Sequence, residues 1–121
     1  GIGVNLRIGV MVLVTIPNTE DYKAKLTNIS FIKPNDIEVS IFNEGNILIR
    51  PEGAIKILNS QGKRIKYLAF NPNKAGILPQ SLRKFKIKIE ESLPKGKYTL
   101  KIEVDFGQEY LLVGELPIDI E

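Results

Sequence analysis

From residue 98 to residue 106 the chain alternates without a fault. Tyr98, Leu100, Ile102, Val104 and Phe106 occupy one parity; Thr99, Lys101, Glu103 and Asp105 occupy the other. A period of two is the mark of a β-strand with one face on a core and the other in water. A helix would bring its apolar positions back every three or four residues instead. Leu93-Pro94-Lys95-Gly96-Lys97 supplies the turn that leads in. We read this stretch as the central strand of a β-sandwich.

The rest of the chain has the same grain. Residues 8–16 form a first strand, with Val10, Val12, Val14 and Ile16 on one face and Met11 and Leu13 on the other. A strand apolar on both faces is either covered twice or offered to a partner. Residues 23–32 change parity between Leu26 and Ile29, which predicts a bulge near Thr27 and Asn28. Residues 37–42 place Ile37, Val39 and Ile41 inward, and Asn43-Glu44-Gly45-Asn46 follows as a tight loop. Residues 47–50 read as a short extended bridge closed by Pro51-Glu52-Gly53. Residues 54–58 and 63–68 read as a hairpin around Asn59-Ser60-Gln61-Gly62, with Ile55 and Ile57 opposing Ile65 and Tyr67. Residues 83–90 place Phe85, Ile87 and Ile89 inward. The last strand, 110–120, contains Pro117, which removes a ladder donor and predicts an edge or a bulge there. No segment sustains a helical period. The expectation is therefore an all-β sandwich of seven or eight mostly antiparallel strands, one domain over residues 1–121, with Greek-key connections.

Composition narrows the chemistry. The sequence has 121 residues and 43% hydrophobic residues, enough for one core without a metal or disulfide to hold it. It has no Cys and no His. Thiol catalysis, triad chemistry and imidazole or thiolate metal ligation are thereby excluded for this stretch of chain. Ser81 and Ser92 have no imidazole to activate them. Seventeen Lys and Arg against 14 Asp and Glu give a net charge of +3. That is too mild a field to point to nucleic acid. The longest apolar run, residues 8–14, falls well short of the ~20 residues of a membrane-spanning helix, so no membrane insertion is expected of this fragment. The start at Gly1 rather than Met is expected of a chain trimmed from a longer product.

Three pieces carry a family resemblance. Val39-Ser40-Ile41-Phe42-Asn43-Glu44-Gly45-Asn46 resembles the strand and loop of surface and envelope sandwich modules. Ile77-Leu78-Pro79, with Arg83 and Phe85, resembles a lead into a strand. Leu93-Pro94-Lys95-Gly96-Lys97-Tyr98 resembles the entry to strand F of an immunoglobulin-like domain, with Tyr98 as its tyrosine corner. Over residues 37–106 the chain thus resembles an immunoglobulin-like β-sandwich. It is similar to pilus-chaperone, major-sperm-protein and WxL-interacting-protein domains. The resemblance implies an extracytoplasmic, non-catalytic module for protein interaction, assembly or spacing. The alternative is a pilus-chaperone-like domain that binds by strand addition, although Arg7 and Lys101 are no confident match to that family's basic pair.

Two candidate sites follow. The first is a partner-binding strand, Val10, Met11, Val12, Leu13 and Val14, which would meet another protein chain or a neighbouring domain. The second is a polyanion contact at Lys84, Lys86 and Lys88, set against the plainer reading of lysines that block edge pairing. Lys56, Arg64 and Lys66 form a second expected basic stripe. No aromatic interleaves the first stripe, so base stacking is not expected. Glu90-Glu91 and Glu20-Asp21 are neighbours whose side chains diverge on a strand, which does not suit a paired-carboxylate mechanism. Glu20, Asp21 and Glu44 lack the dense spacing of a calcium loop. No catalytic residue, cofactor or metal is expected.

Overall fold

The computed structural model describes residues 7–12 and 22–121. Eight strands follow in chain order: β1 Arg7–Val12, β2 Ala24–Ile32, β3 Asp36–Asn43, β4 Glu52–Asn59, β5 Arg64–Phe70, β6 Leu82–Lys88, β7 Gly96–Asp105 and β8 Tyr110–Ile120. They form two sheets, ordered β1-β8-β7-β4-β5 and β2-β3-β6, with every pairing antiparallel. Among the described residues there is no helix. The fold is an all-β sandwich. The chain changes sheet after β1, after β3, after β5 and again after β6.

β7 is the middle strand of the larger sheet, and all five apolar residues of its alternation are buried. Ile55 and Ile57 of β4 and Leu112, Leu116 and Ile118 of β8 join them from the flanking strands. The smaller sheet presents Ile37, Val39 and Ile41, each with no exposed surface, together with Leu26 and Ile29. Burying one such side chain contributes about 1.5–3 kcal/mol before ordering costs.

Local chemistry explains the joints. The β2–β3 register slips between Leu26 and Asn28, which is the bulge expected from the parity change. Gly62 closes the β4–β5 hairpin at φ +79°, and its N–H donates to Asn59 O at 2.9 Å. Gly53 is required for a different reason. A Cβ there would lie 1.9 Å from the Glu103 carbonyl oxygen, so β4 and β7 can approach at this point only without a side chain. Tyr98 is buried and its hydroxyl donates to Pro94 O at 2.6 Å, the hydrogen bond expected of a tyrosine corner.

Some expectations are corrected. Pro51-Glu52-Gly53 is not a closed turn, because Glu52 and Gly53 already pair with Asp105 and Val104. Ile55 and Ile57 do not oppose Ile65 and Tyr67. Their partners are Leu68 and Lys66. A register shift between Ile57 and Leu58 absorbs one residue, so Ile65 and Tyr67 turn to the outer face, 39% and 58% exposed. Ser40, expected outward, lies under its neighbours at 3% exposure. The continuation of the first strand through Leu13–Ile16 falls outside the described residues.

Candidate interaction surface

The sandwich has one tied side and one open side. On the tied side, β1 lies at the edge of the larger sheet against β8, and β2 of the other sheet comes close to both. The Tyr110 hydroxyl there donates to Tyr22 O at 3.3 Å. On the open side, β5 ends one sheet and β6 ends the other. Their backbones do not approach comparably. They are bridged instead by the rings of Phe70 and Phe85, 4.8 Å apart and edge to face, and by Lys66 Nζ, 3.6 Å from Glu91 Oε2.

The candidate partner-binding strand sits in this frame as β1. Val10, Met11 and Val12 stand in register with Leu112, Leu111 and Tyr110, while Leu13 and Val14 fall outside the described residues. Among the described residues β1 covers β8 only over residues 110–115, which leaves the Pro117 end of β8 without a neighbour on that side. Leu111, the register partner of Met11, is half-buried, as is Val113. Arg7, Glu115 and Lys101 fall in one cross-strand row. Lys101 Nζ is 3.9 Å from Glu115 Oε1, so a carboxylate sits in that row between the two basic positions.

Lys84, Lys86 and Lys88 are exposed on β6, as the alternation requires. Their register partners on β3 are Ser40, Glu38 and Asp36, so two of the three lysines face a carboxylate position. The second expected stripe does not form. Lys56 lies on the outer face opposite Tyr67 and reaches Glu103 Oε1 at 3.4 Å; Arg64, opposite Leu58, shares that face with its guanidinium 5.6 Å from the Tyr67 ring centroid, while Lys66 has the other parity. Glu90 and Glu91 are exposed at the end of β6, and Glu44 is exposed in its loop. Glu20 and Asp21 lie outside the described residues. Among the described residues no group of three or more carboxylates is placed to hold a metal ion.

A concavity of about 570 Å³ is an open cleft at the tip of the β4–β5 hairpin. Asn59, Ser60, Lys97, Pro117 and Asp119 line it, and Lys97 and Asp119 are register partners. The loop that resembles envelope modules proves to be a structural knot. Asn43 is fully enclosed; its Nδ2 donates to Ile47 O at 2.8 Å and Ile77 O at 2.9 Å, and its Oδ1 accepts from Gly45 N at 3.0 Å.

The surface that sequence reasoning missed is β5. Its signal was present: Arg64 and Lys66 alternate with Ile65 and Tyr67, and the apolar parity then moves to Leu68 and Phe70. A strand with apolar groups on both parities and cations on one belongs at an edge, where only one face can be fully enclosed.

No family model matches the chain, and no curated protein matches it. Among solved structures, it is similar to the X-ray structure of a Northeast Structural Genomics Consortium target, SoR45, at 12% identity and a TM-score of 0.46, over 95% of this chain and 85% of that one. It is also similar to a β-D-glucoside glucohydrolase from Trichoderma reesei, at 12% identity and a TM-score of 0.43, over 98% of this chain and 19% of that one.

Proposed function

We propose that the chain is a non-catalytic, immunoglobulin-like module of a secreted or cell-envelope protein, acting through protein–protein contact in assembly or spacing. One observation carries the reading. β1 is added antiparallel to the β8 edge over residues 110–115, the geometry by which a strand from another chain would also engage. The Tyr98–Pro94 hydrogen bond supports the immunoglobulin-like part, and the absence of Cys and His supports the non-catalytic part. The extracytoplasmic placement rests on the resemblance of the Asn43–Asn46, Leu78-Pro79 and Gly96–Tyr98 motifs.

The same edge favours a second reading, a pilus-chaperone-like domain that binds a partner by strand addition. Against it stands Glu115, in the row that separates Arg7 from Lys101.

The test weakens the resident strand and offers a replacement. Met11→Asp with Leu13→Asp places charge at two positions of one parity in the first strand as read from the sequence. A synthetic peptide of residues 7–14 should then bind the variant, moving amide resonances of residues 110–115, and should bind the wild type at least tenfold more weakly. If the peptide binds neither protein, and the variant sediments and dissolves like wild type, the β8 edge is not a binding edge and the reading falls.

A further inference from the structure

We propose that the open side of the sandwich binds an extended acidic polypeptide segment, which adds to β5 as a further strand. This goes beyond the reading above: it concerns the opposite edge of the sheet, and it stands even if β1 engages nothing.

β5 is the terminal strand of its sheet and, among the described residues, pairs only with β4. Its outer row of N–H and C=O groups is therefore unclaimed by a neighbouring strand. The strand is seven residues long and contains neither Pro nor Gly. Edges that must repel all strands are commonly shortened or interrupted by proline. This one is guarded by charge of a single sign.

Charge complementarity names the occupant. β5 and β6 together carry Arg64, Lys66, Arg83, Lys84, Lys86 and Lys88 and no carboxylate. Asp36 and Glu38 partly offset Lys88 and Lys86 from β3. Arg64, Arg83 and Lys84 have the uncharged register partners Leu58, Ile41 and Ser40. A second copy of this chain would set like charge against like charge and is disfavoured. An acidic strand is favoured. The two sheets of a sandwich lie about 10 Å apart, within one to two Debye lengths at physiological salt, so the β6 cations also act on a strand held at β5.

The pattern of the partner follows from that of β5. One parity of an added strand would lie beside the exposed Ile65 and Tyr67, where the Arg64 guanidinium also sits 5.6 Å from the Tyr67 ring centroid, and the other beside Lys66 and Leu68. The fitting segment therefore carries Asp or Glu on the parity that meets Lys66, and apolar or aromatic residues with a carboxylate at the Arg64 end on the parity that meets Tyr67. Glu91 already places a carboxylate 3.6 Å from Lys66, from a side chain that is 85% exposed. A partner's carboxylate can take its place with little loss, because so exposed a pair contributes little.

The probe is a fluorescent nine-residue peptide of alternating Glu and Val, titrated into the 121-residue protein. Two controls accompany it: the same peptide with Lys for Glu, and the Glu peptide N-methylated at alternate amides. Binding of the Glu peptide alone, weakening steeply with salt and shifting amides of β5 rather than of residues 110–115, is expected. Arg64→Glu, at an exposed position, should weaken it at least tenfold with an unchanged thermal midpoint. Equal binding of the N-methylated peptide, or of inorganic polyphosphate with the same shifts, would mean attraction to polyanions without strand addition, and would overturn the proposal. Failure of the wild type to bind the Glu peptide at 50 mM salt would overturn it as well. Neither result bears on β1 and β8.

Discussion

Asn43 shows how one amide can hold three segments. Its two donors serve the carbonyls of Ile47 and Ile77, its acceptor serves Gly45, and its own backbone exchanges hydrogen bonds with Ser81 and Gln80. The loop after β3 and the approach to β6 meet on this residue. Asn43→Ala would strip Ile47 O of the amide donor and leave Ile77 O with Ile49 N–H alone and Gly45 N–H with Lys23 O alone, each lost bond costing about 1 kcal/mol. A loss of about 3 kcal/mol in urea unfolding is expected. Asn43→Asp keeps the acceptor but turns a carboxylate oxygen toward two carbonyl oxygens, and should cost more than Ala at neutral pH. A loss below about 1 kcal/mol for Asn43→Ala would show that water replaces the amide. The sequence marked this residue as a loop former. It did not reveal the role as a knot, because the partners Ile77 and Ser81 are distant in the chain and only the folded topology brings them near.

At the scale of elements, the apolar parity was legible wherever both neighbours of a strand are strands. β7, β3 and β8 match their expected faces because a central strand has one inner and one outer side, and alternation records them directly. Legibility failed at β5. There the hairpin register depends on one residue absorbed between Ile57 and Leu58, and nothing in the local pattern announces it. The candidate lysines were found for the same reason that β6 was found, whereas the exposed face of β5 was assigned to the core. β2 offers a test of this logic. Its bulge inserts one residue between Leu26 and Asn28, which pair with Ile41 and Ser40. Deleting Thr27 should therefore restore regular pairing and keep Ala24, Leu26 and Ile29 inward. It would remove only the hydrogen bond from Thr27 Oγ1 to Ser40 O, at about 1 kcal/mol. Deleting Ser30, where no bulge absorbs the change, must turn one end of β2 inside out and should cost at least about 3 kcal/mol. Similar unfolding midpoints for the two deletions would mean that the bulge does not set the register.

For the whole molecule, the asymmetry of the two sides should be visible in how it opens. β7 and β3 are each flanked by strands on both edges and enclose the best-buried side chains. Their amides can exchange only when the sandwich comes apart, at a free energy near that of global unfolding. β8 is covered by β1 over half its length and backed by β2. Among the described residues β5 and β6 have a ladder on one edge only, and the side between them is spanned by Phe70 and Phe85 rather than by close backbone packing. Hydrogen exchange on the intact protein should rank β7 and β3 slowest, β8 over residues 110–115 next, and β5 and β6 fastest among the strands. The order is physically linked to the charge on the open side. An open side that opens readily and carries six cations across β5 and β6 can take up an acidic segment without breaking the core, and the exchange of β5 should slow when it does. If β5 in the free protein exchanges as slowly as β7, its outer edge is already occupied and no strand could be added there.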